Sequence, residues 1–180
     1  VFSTNIWHEA MHCYRTYRIY LDNDGIYPDS LNTSDIRYGK SIDMIYKSAN
    51  NACGRIARWM GNCYYRMNKN EIAAQISSVY GYIKGNKEIN VNNYKDYLDE
   101  LDIKKTYNAI LQLCNYIEEI RNRDKEDNER KCVVSILRHL FKMEKENDSI
   151  VLKRTSNNIK YYLSYINSKM YAAIEYSLMT

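Results

Sequence analysis

The sequence predicts an all-α fold: an antiparallel helical bundle or array of about six or seven helices, one of them a very long second helix. The chain reads as a single domain over residues 1–180, a length that one hydrophobic core can serve. Three observations lead there. Apolar residues recur at three- and four-residue spacing almost throughout. One proline and six glycines leave little turn chemistry. Only the piece Ser149 to Lys153 reads as extended, and one short strand has nothing to pair with.

The first helix runs from about Ser3 to Asp22, with Ser3 or Thr4 as its cap. Asn23-Asp24-Gly25 ends it, and Pro28 sits in the connection. Thr33 and Ser34 cap the long second helix, which is expected to reach about Lys69. Asn70 opens a third that ends near Gly85, and Gly85 to Asn93 is the clearest loop. A short helix around Tyr94 to Leu101 follows, then one from Ile103 to about Arg121. The mixed-sign run Arg121 to Lys131 reads as a solvated turn. Helices from about Asn128 to Glu146 and from about Ser156 to Leu178 complete the set.

Composition narrows the class. No apolar run approaches the roughly 20 residues a bilayer needs, so no membrane partner is expected. No secretory signal opens the sequence given, which begins at Val1. The five cysteines are widely spaced and include no C-x-x-C pair, a pattern that fits reduced thiols in a cytoplasmic protein, host cytoplasm if the source is viral. Nineteen tyrosines stand against two phenylalanines, a bias that codon usage in an AT-rich genome accounts for.

The long second helix carries the charge. On a helical wheel of residues 35 to 69, Ile42, Ile45, Ala49, Ala52, Cys53, Ile56, Ala57, Trp59, Met60 and Cys63 form the face to be buried. Arg37, Lys40, Lys47, Arg55, Arg58, Arg66 and Lys69 share a separate arc of about 100°, interleaved with Asn51, Asn62 and Tyr65. The stretch from Leu31 to Asn70 holds seven basic residues against two acidic ones, whereas the rest of the chain holds 19 against 20. An ordinary solvated face mixes signs to gain i,i+4 pairs. This one forgoes them over about 50 Å of helix, a length that suits a polyanion. Arginine forks match phosphate, and Tyr65 offers a stacking face.

A second motif competes. His8-Glu9-Ala10-Met11-His12 has the H-E-x-x-H spacing of zinc peptidases, in which two histidines one turn apart bind metal and the glutamate activates a bound water. A third ligand is required, and Glu71 or His139 supplies the right chemistry. Against this, no strand pattern precedes His8 to align a substrate. The expected core face of the first helix is Ile6, Trp7, Ala10, Cys13, Tyr14, Tyr17 and Leu21, which turns His8 and His12 away from the core.

The residues therefore favour a non-catalytic helical protein, or a small subunit of a nucleoprotein complex, binding RNA or single-stranded DNA through Arg37, Lys40, Lys47, Arg55, Arg58, Tyr65, Arg66 and Lys69, with no cofactor. One alternative is a helical interaction module, such as a viral host-modulator, docking an acidic protein surface. The other is a metal-dependent hydrolase built on HEAMH, with zinc held by His8, His12 and either Glu71 or His139.

Overall fold

The computed structural model describes residues 2–22 and 52–180. Among the described residues the chain is helical, with no strand: α1 (Phe2–Asp22), α2 (Ala52–Arg66), α3 (Lys69–Gly85), a 3-10 helix (Tyr94–Glu100), α4 (Asp102–Arg121), α5 (Asn128–Phe141) and α6 (Asp148–Met179). They gather into two compact units. The first holds α1, α3, the 3-10 helix, α4 as far as Asn108 and α6 from Ser164. The second holds α2, α4 from Ala109, α5 and α6 as far as Leu163.

In the first unit α1 packs on α3. Asn68 starts α3 by accepting a hydrogen bond from the Asn70 backbone N–H at 2.9 Å, one of the donors a helix start leaves without an intrahelical partner. Ile72, Ala74, Val79, Ile103, Ile166 and Met170 are buried; Ile72 and Val79 stand seven residues apart on α3, and Ile166 and Met170 four apart on α6, spacings that keep apolar side chains on one helix face. After α3 the chain turns on asparagines. Asn90 Oδ1 accepts from the Asn92 N–H at 2.9 Å and Asn93 Oδ1 from the Asn90 N–H at 2.8 Å, local bonds that offer the backbone an alternative to helix in the loop beyond Gly85.

In the second unit α2 packs on α5, and Ala57, Met60 and Cys63, of the face predicted to be buried, are buried. Trp59 stands edge-on to Tyr116 at 5.3 Å, and Tyr64 edge-on to Phe141 at 5.0 Å. Arg130 is buried, and its Nη1 donates to the carbonyls of Ile120, Arg121 and Arg123 at 3.3, 2.9 and 2.9 Å, which closes the end of α4. The run Arg121 to Lys131, expected to be a solvated turn, thus contains a buried helix cap.

Four further expectations change. The stretch predicted as the end of the second helix stops at Arg66, and Lys69 opens α3, because Asn68 provides a cap where the apolar pattern alone reads straight through. The start of that helix lies outside the described residues. The longest described helix is instead the last, α6, with 32 residues. Ser149 to Lys153 belong to α6 rather than to a strand, because Asn147 caps the helix there by accepting from the Ile150 N–H at 3.0 Å. Cys53 and Cys132 form a disulfide across 79 residues of sequence, with Cα atoms 6.0 Å apart; α2 packing on α5 brings together two thiols that no sequence spacing connects. Cys63 and Cys114 are free and buried, and Cys13 is free and exposed. Burial pushes the Cys63 thiol up to about 11.

The face predicted for the core on α1 is largely open. Ile6, Tyr14, Tyr17 and Leu21 are each at least 50% exposed, and Ala10 and Cys13 are exposed as well. The helix lies on α3 with its histidine side instead. No described helix is long and apolar enough to cross a membrane.

Candidate metal centre

The contact between α1 and α3 includes one very close approach. A Cβ on Gly81 would lie 2.0 Å from Cδ1 of Trp7, so only glycine lets the indole rest on the α3 backbone. The Trp7 ring stands edge-on to Tyr80 at 5.3 Å, and the Ser77 hydroxyl donates to the Trp7 carbonyl at 3.2 Å. As α1 advances from Trp7 to His12, its neighbours on α3 run back from Gly81 to Glu71. That crossing turns His8 and His12, which share one side of α1, toward the first turn of α3.

There they meet Glu71. His8 Nε2 lies 3.1 Å from His12 Nε2, and the two rings stand edge to face. His8 Nε2 is 3.7 Å from Glu71 Oε2, and His12 Nε2 is 3.6 Å from Glu71 Oε1. All the ligand atoms lie within 4.8 Å of one another. The side chains are 24%, 30% and 14% exposed, which shields the cluster while leaving it reachable by a small solute. The sequence expectation that both histidines point away from the packed side is therefore corrected.

The distances fit a metal shell. In a tetrahedral site with bonds of about 2.0–2.1 Å, neighbouring ligand atoms stand about 3.3 Å apart, inside the observed spread. Electrostatics agrees. Two neutral imidazoles 3.1 Å apart through Nε2 either share one proton or aim both lone pairs at a single cation. The carboxylate beside them adds the negative charge a divalent ion favours, and Glu71 stands in the first turn of α3, where the unpaired N–H groups also favour negative charge. The ligand types and their convergence within 4.8 Å are what favour an ion. Glu9, next to His8 in sequence, is exposed.

Of the proposed third ligands, the structure brings Glu71 to the histidines. His139 is exposed on α5, in the second unit, and does not join the cluster. Among the basic residues, Arg55, Arg58 and Arg66 are exposed on α2 with Tyr65, while Lys69 is exposed on α3 in the first unit. Arg37, Lys40 and Lys47 lie outside the described residues. Sequence reading missed the Trp7–Gly81 notch. Its signal was the four-residue stripe Ala73, Ser77, Gly81, small residues that let a second helix come close. No family model, curated protein or solved structure matches this chain.

Proposed function

We propose that the chain is a metal-dependent hydrolase whose divalent ion, zinc by ligand chemistry, is held by His8, His12 and Glu71. The observation that carries the reading is the convergence of these three side chains, from two helices 59 positions apart, at metal-shell spacing. Two imidazoles and one carboxylate leave a coordination position open, as catalytic zinc sites do. The ion, when bound, supplies a water of lowered pKa and polarises the substrate carbonyl. The protein's own part is to hold the ligands, and to offer Glu9 as the base that takes the water's proton. The same donor set also suits non-haem iron; the neighbouring Glu9 is what favours hydrolysis. No substrate-aligning strand exists among the described residues, so the ligand set and Glu9 carry the proposal alone.

The test is stoichiometry. Wild-type protein dialysed against zinc should retain one ion per chain by elemental analysis. His8→Ala, His12→Ala and Glu71→Gln should each lose it while His139→Ala keeps it. A wild-type chain that holds no zinc after dialysis sinks the reading.

A second reading has its own support. Arg55, Arg58 and Arg66, all exposed with Tyr65 on α2, make a basic face suited to a nucleic-acid backbone. Their triple alanine variant should lower the slope of log affinity against log salt for single-stranded RNA by about two to three, since each phosphate contact releases a counterion. Alanine at Lys104, Lys105 and Lys142 is the charge-matched control. Equal losses in both variants would reduce the effect to net charge.

A further inference from the structure

We infer that Trp7, seated on Gly81, is the positioning residue that brings His8 and His12 to Glu71. The inference rests on the metal-centre reading above and adds to it the element that makes the centre. Trp7 is the residue before His8, so whatever fixes the indole fixes the rotation of α1 at the first ligand. Three contacts fix it. The indole lies against bare backbone at Gly81, where an added Cβ would fall 2.0, 2.7 and 2.8 Å from Cδ1, Nε1 and Cγ. Tyr80 holds it edge-on at 5.3 Å, and Tyr80 is backed by Tyr176 at 6.3 Å. Ser77 ties the Trp7 carbonyl to α3 at 3.2 Å.

The geometry makes this pin decisive. His8 and His12 sit on one helix, so their mutual spacing is set by α1 alone. Their spacing to Glu71 is set by how α1 lies on α3. A helix turned by one residue carries a side chain through about 100°. The notch sits one residue before the first ligand, which makes it a register mark beside the site. It also explains why an amphipathic helix packs with its histidine side inward and leaves Ile6, Tyr14, Tyr17 and Leu21 exposed. The notch overrides the apolar pattern.

The test compares Gly81→Ala, Trp7→Ala, their double variant and Glu71→Gln, each titrated with zinc in competition with a chelator and with cobalt(II) followed by its visible absorption. Gly81→Ala should weaken zinc binding by about 10- to 100-fold, the range seen when groups that orient metal ligands are lost. Its cobalt spectrum should move toward that of Glu71→Gln, because the carboxylate is the ligand that falls out of reach. A purely structural role would leave that spectrum unchanged. In the Trp7→Ala background the added methyl meets no indole, so the double variant should bind no more weakly than Trp7→Ala alone. Gly81→Ala that binds zinc as tightly as wild type, or losses that simply add in the double variant, would overturn the inference. Should Gly81→Ala fail to fold, Trp7→Ala, which adds no atom, decides: wild-type affinity there is equally fatal. Wild-type protein that binds neither metal would instead remove the metal-centre reading, a separate outcome.

Discussion

The proposed metal centre assigns two carboxylates, Glu71 and Glu9, different work. Glu71 lies within 3.7 Å of both imidazole nitrogens, the position of a ligand in the proposed centre. Glu9 follows His8 in sequence and is exposed; in the proposed mechanism it is the base that meets the bound water. Glu9→Gln is expected to keep full zinc stoichiometry and lose hydrolysis of an unstructured peptide pool by about 100-fold or more, as for a lost general base. Mass spectrometry of the digest and elemental analysis of the same sample check both halves. A variant that loses the metal as well would move Glu9 into the ligand set. A different carboxylate contributes acid sensitivity. Glu118 Oε1 accepts from Lys160 Nζ at 2.6 Å and from the Ser156 hydroxyl at 2.5 Å; these bonds, the lysine's foremost, hold its carboxyl down to about 2 from an ordinary 4.5. Because the folded value is the lower one, this contribution is complete above about 4.5 and is lost as pH falls toward about 2. Glu118→Gln should therefore flatten the fall in urea midpoint over that window and leave the pH dependence above it unchanged.

Helix ends are where reading by periodicity and the structure part most clearly. The spacing of Ile103, Ile110, Leu113 and Ile117 placed α4 well, since a buried stripe is a property of many residues at once. A cap is a property of one. Asn68 divides a pattern that runs on through Met67, and Lys142 ends α5 at φ 55, in the left-handed region, although the residues to Glu146 still read as helical. The α1 site shows the same limit. The H-E-x-x-H spacing and Glu71 were legible as ligand types, but the face they occupy was not, because the apolar stripe pointed the other way. What decided it was Gly81, 74 positions from Trp7, and no local pattern reports so distant a notch. Two substitutions follow at this scale. Lys142→Gly should raise stability by about 0.5–1 kcal/mol, since glycine reaches the left-handed conformation without the Cβ penalty. Asn68→Ala should cost about 1 kcal/mol by leaving an N–H of α3 uncapped. Denaturant midpoints at constant slope measure both, and a stability loss in Lys142→Gly would contradict the cap geometry.

Across the whole molecule, two long-range ties act in different units. The His8–His12–Glu71 cluster joins α1 to α3 in the first, and the Cys53–Cys132 disulfide joins α2 to α5 in the second. Each restrains the unfolded chain or rewards the folded one by a separate mechanism. Zinc that binds only the folded cluster stabilises by RT ln(1 + [L]/Kd), about 2.7 kcal/mol at a hundredfold excess over Kd. A disulfide closing 79 residues stabilises by about 2–4 kcal/mol through the entropy it removes from the unfolded chain. Amide hydrogen exchange can tell the two apart, because it reports opening segment by segment. Adding zinc should slow exchange most in α1 and in α3 from Glu71 to Gly81. Cys53→Ser with Cys132→Ser should speed exchange most in α2 and α5, with zinc stoichiometry kept at one. Zinc that protects α2 and α5 as strongly as α1 and α3 would mean the ion binds elsewhere, and loss of zinc in the double serine variant would mean the disulfide holds the metal site.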